Sequence, residues 1–390
     1  MEIQKLKDIC LTEITDGTHQ TPTYSEYGYI FLSSKNVTTQ KIDWDNVMFI
    51  PEKLHEELYK RVAPQIDDIL LAKNGTTGVA AIVDRDIVFD IYVSLALIRP
   101  NTEIVMPRYL LYAINNPVVK GYFDSSLKGI GVPNLHLKNI RETPIKIYDL
   151  ETQKAIVEKL DKVCELISLR KQQLEKLDEL VKTRFVEMFG DCKANPKNWK
   201  TKALEKIANV GSSKRVFVEE LQDSGIPFYR GTEIGALAEK KAVIPALFIT
   251  EEHYKQLYET TGKPQKGDLL MPSICPDGRI WIVDTDEPFY FKDGRVLWVH
   301  LTSANYNSVF LLYTLKDRIM TDYASIASGT TFAELKIFAL KKCKIFDVPL
   351  ELQNQFANFV ERVDQQKQTV QQSLEKLELM KKALMQEYFG

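Results

Sequence analysis

Several kinds of chemistry are missing from this sequence. Its five cysteines (Cys10, Cys164, Cys192, Cys275 and Cys343) are scattered, odd in number and never spaced as Cys-x-x-Cys, which predicts reduced thiols and no zinc site. No apolar run approaches the length needed to span a bilayer, and the N-terminus lacks the basic-then-apolar layout of a signal peptide. These absences predict a cytoplasmic protein without membrane contact.

The motifs of common catalytic and cofactor sites are missing as well. No Pro-Pro pair follows Asp, Asn or Ser, as it would in an amino-methyltransferase, and no Gly-Lys-Ser/Thr phosphate loop occurs. Gly129-x-Gly131 lacks the third glycine of a dinucleotide loop, and the histidines have no metal-ligand spacing. We therefore expect no catalytic residue, no metal and no cofactor. The net charge of −2 means that any nucleic-acid binding depends on how charge is distributed.

The main positive feature is an internal repeat. Shifting residues 150–190 by 200 positions onto 350–390 gives 13 identities in 41 positions without a gap, which indicates a duplicated unit. The matches include Leu150-Glu151-x-Gln153 with Leu350-Glu351-x-Gln353. The repeat predicts four segments: a first globular domain (1–148), a first long helix (149–190), a second globular domain (191–347) and a second long helix (348–390).

Each copy of the repeat has apolar residues at alternating steps of four and three, the pattern of a coiled coil. In the first copy these residues are Ile156, Leu160, Val163, Ile167, Leu174, Leu177, Val181 and Met188. In the second copy they are Phe356, Val360, Val363, Val370, Leu374, Leu377, Leu384 and Tyr388. One antiparallel register sets Leu160 opposite Leu384 and Met188 opposite Phe356. It also sets each basic residue of the seam opposite an aliphatic residue, so that its charge stays in water: Arg170 with Leu374, Arg184 with Val360, Lys367 with Leu177 and Lys381 with Val163.

The two globular segments repeat one order of elements with little identity. In the first, strands are predicted at Tyr29–Leu32 and Tyr92–Ile98, and a helix from Pro107 to a turn at Asn116-Pro117. In the second, Leu335-Lys336 aligns with Leu137-Lys138. The chain is thus predicted to be α+β: two similar mixed α/β domains and a long antiparallel two-helix coiled coil, related by a pseudo-twofold internal repeat.

The polar loops of both segments combine amides, hydroxyls, cations and aromatic rings, which are the groups that contact base edges and phosphates. In the first segment the candidate DNA-binding residues are Thr18, His19, Gln20, Thr21, Ser33, Ser34, Lys35, Asn36, Lys73, Asn74, Thr76, Thr77 and Lys128. In the second they are Ser212, Ser213, Lys214, Arg215, Tyr229, Arg230, Thr232, Ser273, Thr330 and Thr331. For any one of them, a solvated turn is the alternative interpretation.

Together these features resemble the specificity subunit of type I restriction-modification systems. The motifs are Asp16-Gly17-Thr18-His19-x-Thr21-Pro22, Ser33-Ser34-Lys35-Asn36, Asp68-Ile69-Leu70-Leu71 with Gly75-Thr76-x-Gly78, and the doubled domain-plus-helix order. The likeness covers essentially the whole chain, although residues 128–131 and 273–276 depart from the usual loop patterns. It implies a non-catalytic subunit in DNA methylation, whose two target-recognition domains each bind half of a bipartite double-stranded DNA target. It also implies docking of two adenine-N6 methyltransferase subunits, with restriction (ATP-driven translocase) subunits as further partners.

Two other functions are left open by the sequence. One is a protein-interaction scaffold, in which repeated domains bind proteins and the coiled coil is a spacer. The other is an enzyme, for which the missing motifs leave little room. Gene context separates the DNA-specificity subunit from the scaffold, because a neighbouring gene with an Asn/Asp-Pro-Pro-aromatic motif would favour the specificity subunit.

Overall fold

The computed structural model describes residues 1–127, 133–329 and 333–390. They form two compact units: unit 1 comprises Met1–Gln172 and Gln371–Gly390, and unit 2 comprises Gln173–Val370. Each unit therefore contains one globular segment and a part of each long helix. The predicted loop residues Lys128, Thr330 and Thr331 lie outside the described residues. The division of the chain into four segments stays a prediction.

Unit 1 is a mixed α/β structure built on small sheets. Its strands β1 to β9 span Glu2–Lys5, Thr15–Asp16, Tyr29–Leu32, Met48–Ile50, Ile69–Ala72, Ala80–Ile82, Phe89–Ile91, Leu95–Ile98 and Pro144–Ile147. Its helices α1 to α4 span Glu52–Tyr59, Pro107–Ile114, Pro117–Ser126 and Leu137–Arg141, with 3-10 turns at Leu6–Ile9 and Ser34–Val37. The sheet orders are β2-β8-β5-β6, β4-β3-β7 and β1-β9, and only the β3–β7 pairing is parallel among these described strands.

Unit 2 repeats this topology. Following the long helix α5 (Leu150–Phe189), strands β10 to β20 span Thr201–Ala203, Ala208–Gly211, Ile226–Tyr229, Phe248–Ile249, Leu269–Pro272, Trp281–Ile282, Tyr290–Phe291, Val296–Leu301, Ala327–Ser328, Glu334–Leu335 and Lys344–Phe346. Helices α6 to α10 span Gly231–Ala238, Glu251–Thr261, Ser308–Ile326, Ile337–Lys341 and Leu350–Phe389, with 3-10 turns at Leu204–Lys206 and Val218–Glu220. The orders β11-β17-β14-β15, β13-β12-β16 and β10-β20 match those of unit 1, and β18 pairs antiparallel with β19. The prediction of two similar mixed domains is confirmed.

One inner strand of each four-stranded sheet, β5 in unit 1 and β14 in unit 2, is buried on both faces. Successive side chains of a strand point to opposite sides, so Ile69 and Leu71 lie in the apolar core that includes α2, whereas Leu70 and Ala72 lie in the core beneath β3 and β7. Leu269 and Leu270 are divided between two cores of unit 2 in the same way. A strand buried on both faces needs a continuous apolar run, which is what the sequence shows.

The long helices α5 and α10 contain 40 residues each and pack antiparallel within each unit. In unit 1, Lys159 Nζ lies 3.2 Å from the Tyr388 hydroxyl, and Arg170 Nε donates to Ser373 Oγ at 3.2 Å. In unit 2, the rings of Phe185 and Phe356 lie 5.4 Å apart. Every predicted seam residue is buried or half-buried, as a coiled coil requires.

Two basic residues of the seam have partners other than the aliphatic residues predicted for them. The prediction is that each keeps its charge in water above an aliphatic partner. Instead Lys367 Nζ makes an ion pair with Asp178 at 2.6 Å, one position from the predicted Leu177. The Arg184 guanidinium lies 5.9 Å from the centre of the Phe359 ring, one position from Val360. The predicted register holds to within one residue at these contacts, but the cations also find anionic and aromatic partners on the flanks of the seam.

A buried glutamine explains why the repeated helices begin alike. Gln153 is fully buried; its Oε1 accepts from the Met106 N–H at 2.8 Å, and its Nε2 donates to the carbonyls of Ile104 and Tyr148. Gln353 makes the same three bonds in unit 2, to the Asn307 N–H and the carbonyls of Asn305 and Val348. Each glutamine therefore joins the start of its long helix to the segment before an earlier helix of its unit, α2 in unit 1 and α8 in unit 2.

The phenylalanines that end the long helices have equivalent roles too. The Phe389 ring packs 5.2 Å from Tyr109 in unit 1, and the Phe189 ring packs 4.8 Å from Phe310 in unit 2. Tyr109 and Phe310 lie in the first turn of the matching helices α2 and α8. The repeated Phe-Gly ending thus supplies an apolar anchor for the globular part of each unit, which the heptad pattern alone does not reveal.

Two local predictions were wrong, and a third was incomplete. The strand expected at Tyr92–Ile98 begins only at Leu95, because the chain turns at Tyr92–Ser94. Asn116-Pro117 does not merely end a helix: the Asn116 side chain accepts from the Val118 N–H at 2.6 Å and caps α3. Leu335 corresponds to Leu135 rather than Leu137, since the N–H of Leu335 bonds the Ser273 carbonyl as that of Leu135 bonds the Lys73 carbonyl.

Candidate nucleic-acid interface

In unit 1 the predicted loops meet at one turn, Tyr92–Ser94, called here the central turn of unit 1. Thr18 makes two backbone hydrogen bonds to this turn and to the residue before it. The Thr18 N–H donates to the Ile91 carbonyl at 3.2 Å, and the Val93 N–H donates to the Thr18 carbonyl at 3.0 Å. The Ser34 N–H donates to Ser94 Oγ at 3.0 Å, and the Lys73 N–H to the Ser94 carbonyl at 2.9 Å. Three loops far apart in sequence are thereby brought together.

The segment from Asp16 to Thr21 is held from below by buried charges. Lys73 Nζ and Asp16 Oδ2 form an ion pair of 2.7 Å, and both side chains are less than a tenth exposed. Arg61 donates to the backbone carbonyls of Asp16 and Gly17. Gly17 lies so close to Ile91 that a Cβ would overlap its carbonyl, which explains the glycine. Lys73, predicted to contact DNA, is thus placed as an internal support.

The exposed side chains of this segment lie above that support. His19 is 71% exposed, and its Nε2 lies 3.3 Å from Asp16 Oδ1. Gln20 and Thr21 are exposed as well, while Thr18 is half-buried. The buried Asp16 carboxylate therefore fixes the start of the segment through Lys73 and orients the exposed ring of His19.

The Ser33–Asn36 segment is a capped turn. Asn36 is buried, and its side chain accepts from the Ser33 N–H at 2.9 Å and donates to the carbonyls of Asp43 and Asn46. Ser33 and Ser34 are half-buried, whereas Lys35 is exposed. The structure therefore places Lys35 on the surface and Asn36 inside, where it fixes the loop.

The loop after β5 adjoins the segment that follows residue 132. The Gly75 N–H donates to the Pro133 carbonyl at 3.2 Å, and Asn74 forms a β-bridge with Asn134. Thr76 is exposed, whereas Asn74 and Thr77 are half-buried.

In unit 2 the equivalent turn is Lys292–Arg295, called here the central turn of unit 2. Ser213 Oγ donates to the Phe291 carbonyl and Ser212 Oγ to the Val296 carbonyl, both at 2.6 Å. The Ser273 N–H donates to the Arg295 carbonyl at 2.8 Å, as Lys73 does at Ser94. Ser212 and Ser273 therefore stand where unit 1 has Asp16 and Lys73, and the buried ion pair is replaced by hydroxyl groups.

Arginines paired with acids surround the central turn of unit 2. Arg230 makes an ion pair of 2.7 Å with Glu233, Arg295 pairs with Glu334, and the Arg215 Nε lies 4.0 Å from Asp293. Burial raises the pKa of Glu233, but hydrogen bonds from Arg230 and Thr232 outweigh it and lower this pKa to about 2. Arg215, Arg230 and Arg295 are each about half exposed or more. The predicted set missed Arg295, which the sequence places in a turn without any distinguishing motif.

The other predicted residues of unit 2 divide between surface and interior. Lys214 is exposed, and Thr232 Oγ1 bonds Glu233 at 2.8 Å. Tyr229 is half-buried, its ring lies 5.4 Å from Phe289, and burial raises the pKa of its hydroxyl. Ser273 is buried. Tyr229 and Ser273 thus support the site, and Lys214 and Thr232 lie on its surface.

The acids shared by the two units are structural. Asp68 accepts two hydrogen bonds from Arg99 and one from the Gln65 N–H. Asp268 accepts from the Gln265 N–H, at the equivalent place, and lies 2.7 Å from the His300 ring nitrogen. Across 1–127, 133–329 and 333–390, no three His, Cys, Asp or Glu residues form a metal-type group. In those same ranges no helix is both long enough and apolar enough to cross a membrane.

Fold and site together define a class of protein: two topologically matched mixed domains, each with polar loops gathered on a turn, and a pair of long antiparallel helices. The model of the type I restriction modification DNA specificity domain matches residues 1–179 and again residues 196–379. The chain belongs to this family.

Relatives and solved structures agree with this assignment. The chain is 24% identical over 412 residues to the putative type I restriction enzyme MjaX specificity subunit of Methanocaldococcus jannaschii, covering 98% of this chain and 91% of that one. It is 26% identical to a putative specificity subunit of Haemophilus influenzae, over 58% of this chain and 57% of the relative. The structure of the S subunit from M. genitalium has the same fold, with a TM-score of 0.59, 14% identity and coverage of 100% and 96%.

Proposed function

We propose that this chain is the non-catalytic DNA-specificity subunit of a type I restriction-modification complex. Unit 1 and unit 2 each recognise one half of a bipartite double-stranded DNA target, and the chain docks two adenine-N6 methyltransferase subunits. Restriction subunits with ATP-driven translocase activity are further partners. The complex acts in the cytoplasm, and the chemistry is supplied by the docked subunits rather than by this chain.

One observation carries the proposal: the same frame presents different side chains. The strand orders match between the units, and each unit has a central turn at the equivalent place, of three residues in unit 1 and four in unit 2, whereas the exposed residues differ. Unit 1 presents His19, Gln20 and Lys35, and unit 2 presents Arg215 and Arg230. All five side chains contact bases or phosphates in DNA-binding proteins. A shared frame with unlike surfaces supports two readers of different sequences.

The outer faces of the long helices support protein docking. Leu169 and Leu180 on α5, and Leu379 and Met380 on α10, are large apolar side chains that are about half exposed or more. They lie off the predicted seam. Adjacent exposed apolar side chains, such as Leu379 and Met380, can form part of a surface that another protein covers. We assign this surface to the methyltransferase subunits.

The test is the methylome of a host strain with and without this gene. We expect the deletion to remove one bipartite N6-methyladenine motif and the wild-type gene to restore it. Mapping methylated adenines across the chromosome measures this directly. An unchanged methylome would contradict the proposal, and copurification of proteins unrelated to methylation would favour the protein-interaction scaffold.

A further inference from the structure

Two apolar side chains project from unit 2 beside its predicted DNA-binding loop. The ring of Phe217 is 52% exposed and Val218 is 77% exposed. Their neighbour Val216 is buried in an apolar core with Phe228 and Leu257, and within the described part of unit 2 no apolar core includes Phe217 or Val218. The chain thus turns its apolar side chains outward immediately after anchoring one of them.

The turn that presents Phe217 is fixed on both sides. Val216 anchors it on one side, and on the other the Glu220 carboxylate accepts from the Phe217 N–H at 2.7 Å. The Glu220 N–H returns a bond to the Phe217 carbonyl at 3.1 Å. A large apolar residue on a fixed turn costs little conformational entropy when a ligand covers it. Such a residue is suited to recognition.

The Phe217 turn has two cations before it and two carboxylates, Glu219 and Glu220, after it, and it is continuous with the candidate interface. The Arg215 guanidinium lies 5.6 Å from the centre of the Phe217 ring and is 71% exposed. Lys214 is exposed beside it. Arg215 also lies 4.0 Å from Asp293 of the central turn, so the apolar pair adjoins that turn rather than a separate face. Cations beside an exposed ring complement the phosphates and base edges of DNA.

We propose that Phe217 is a specificity-determining residue of unit 2, whose ring makes an apolar contact with one base of the half-site while Arg215 neutralises a phosphate. This inference rests on the proposed function, because it requires unit 2 to bind duplex DNA. Unit 1 has polar residues, including Gln20 and Thr21, in the corresponding segment, so the contact belongs to one half of the target only. Apolar contacts to bases, such as those with the thymine methyl group, discriminate without hydrogen bonds.

The experiment uses the full chain copurified with its methyltransferase subunits. Phe217→Ala is compared with the wild type and with Phe338→Ala. Phe338 is a matched control, because it is 66% exposed in the same unit and has a lysine, Lys342, 5.7 Å from its ring centre. Affinity for the target duplex is measured by fluorescence anisotropy, and the methylated motif is mapped in cells.

We expect Phe217→Ala to weaken binding about 10-fold and to relax one base position in one half of the motif. Phe217→Leu should retain part of the affinity and of the base preference, because leucine keeps an apolar contact. Phe338→Ala should leave affinity and motif unchanged. An unchanged motif and affinity for Phe217→Ala would overturn the inference, as would an equal loss in Phe338→Ala. So would loss of methyltransferase copurification with normal DNA affinity, which would assign the surface to a protein. Failure of the wild-type complex to select any sequence would instead refute the proposed function.

Discussion

The two units have the same strand order but differ in what supports their loops. Beneath the loops of unit 1 lie the buried Asp16–Lys73 ion pair and a second buried contact, 2.7 Å between His55 Nδ1 and Asp90 Oδ2. In unit 2 uncharged hydroxyl groups serve instead. Ser212 and Ser273 replace the first pair, and a 2.6 Å hydrogen bond between the Thr261 and Tyr290 hydroxyls ties the helix to the strand.

At the surface of the loops the contrast is reversed, because the charged pairs there, between arginines and acids, belong to unit 2. The comparison shows which features the frame requires. Gln153 and Gln353 make identical bonds, and so do the N–H groups of Leu135 and Leu335, because the backbone path depends on them. The buried polar groups under the loops are free to differ so long as each finds a partner. Loop chemistry can therefore diverge while the topology stays fixed.

The largest expected effect comes from breaking the buried ion pair of unit 1. Lys73→Met leaves the Asp16 carboxylate buried without its cation, so we expect unit 1 to lose roughly 3 kcal/mol of unfolding free energy. Hydrogen–deuterium exchange localises the loss to peptides of unit 1. Ser273→Ala, at the equivalent place in unit 2, should cost no more than about 1 kcal/mol.

Removing both charges separates the ion pair from simple packing. The double variant Asp16→Asn with Lys73→Met has no buried charge left and should recover most of the loss. If the double variant were as unstable as Lys73→Met alone, the buried charge would not be the cause, and the contrast between the units would fail.

A smaller and equal effect is expected where the units agree. Gln153→Leu and Gln353→Leu each leave one buried N–H and two carbonyls without their side-chain partner, at a cost of about 2 kcal/mol. Exchange measurements should show Gln153→Leu loosening unit 1 and Gln353→Leu loosening unit 2 by similar amounts. A large difference between the two losses of stability would show that the shared hydrogen bonds do not stabilise the two units equally.

The smallest effect concerns acid stability. Hydrogen bonds from Arg230 and Thr232 hold the pKa of Glu233 at about 2, against an ordinary value of 4.5. A depressed pKa stabilises the fold above pH 4.5, and that contribution is lost as the pH falls from 4.5 towards 2. Because Arg230 is half exposed, solvent screening limits it to at most about 1 kcal/mol.

Unfolding of Glu233→Gln, followed between pH 2 and 6, should show a flatter dependence in unit 2. In unit 1 the equivalent residue for this experiment is Glu142. Hydrogen bonds from Lys5 and Lys7 lower its pKa to about 2 as well. Glu142→Gln should flatten the response of unit 1 and leave that of unit 2 unchanged. A change in the wrong unit would contradict the assignment.

Periodic features of the fold were predictable from the sequence, and features that depend on distant partners were not. The seam from Ile156 to Met188 follows from a 3.5-residue repeat, which needs no knowledge of the partner. Phe185 and Phe389 lie outside that repeat and also pack against the globular parts, Phe185 on Phe310 and Phe389 on Tyr109. Periodicity on one helix cannot reveal a second packing face near its end.

The candidate site was predicted at the level of loops but not of individual roles. The loops were recognisable by their amides, hydroxyls and cations. Whether a polar residue points outward, like Lys35, or inward, like Lys73 and Asn36, depends on Asp16 and Asp43, which lie elsewhere in the sequence. The central turn at Tyr92–Ser94 was missed because Tyr92-Val93 has strand propensity, and only its long-range bonds make it a turn.

The central claim, that each unit reads its own half of the target, is tested most directly by exchanging one reader. Residues 191–347 are replaced by the same region of a related specificity subunit with a different target, and the methylated motif is mapped in cells. We predict that one half of the motif changes to that of the donor while the other half is retained. A change in both halves, or in neither, would contradict independent reading.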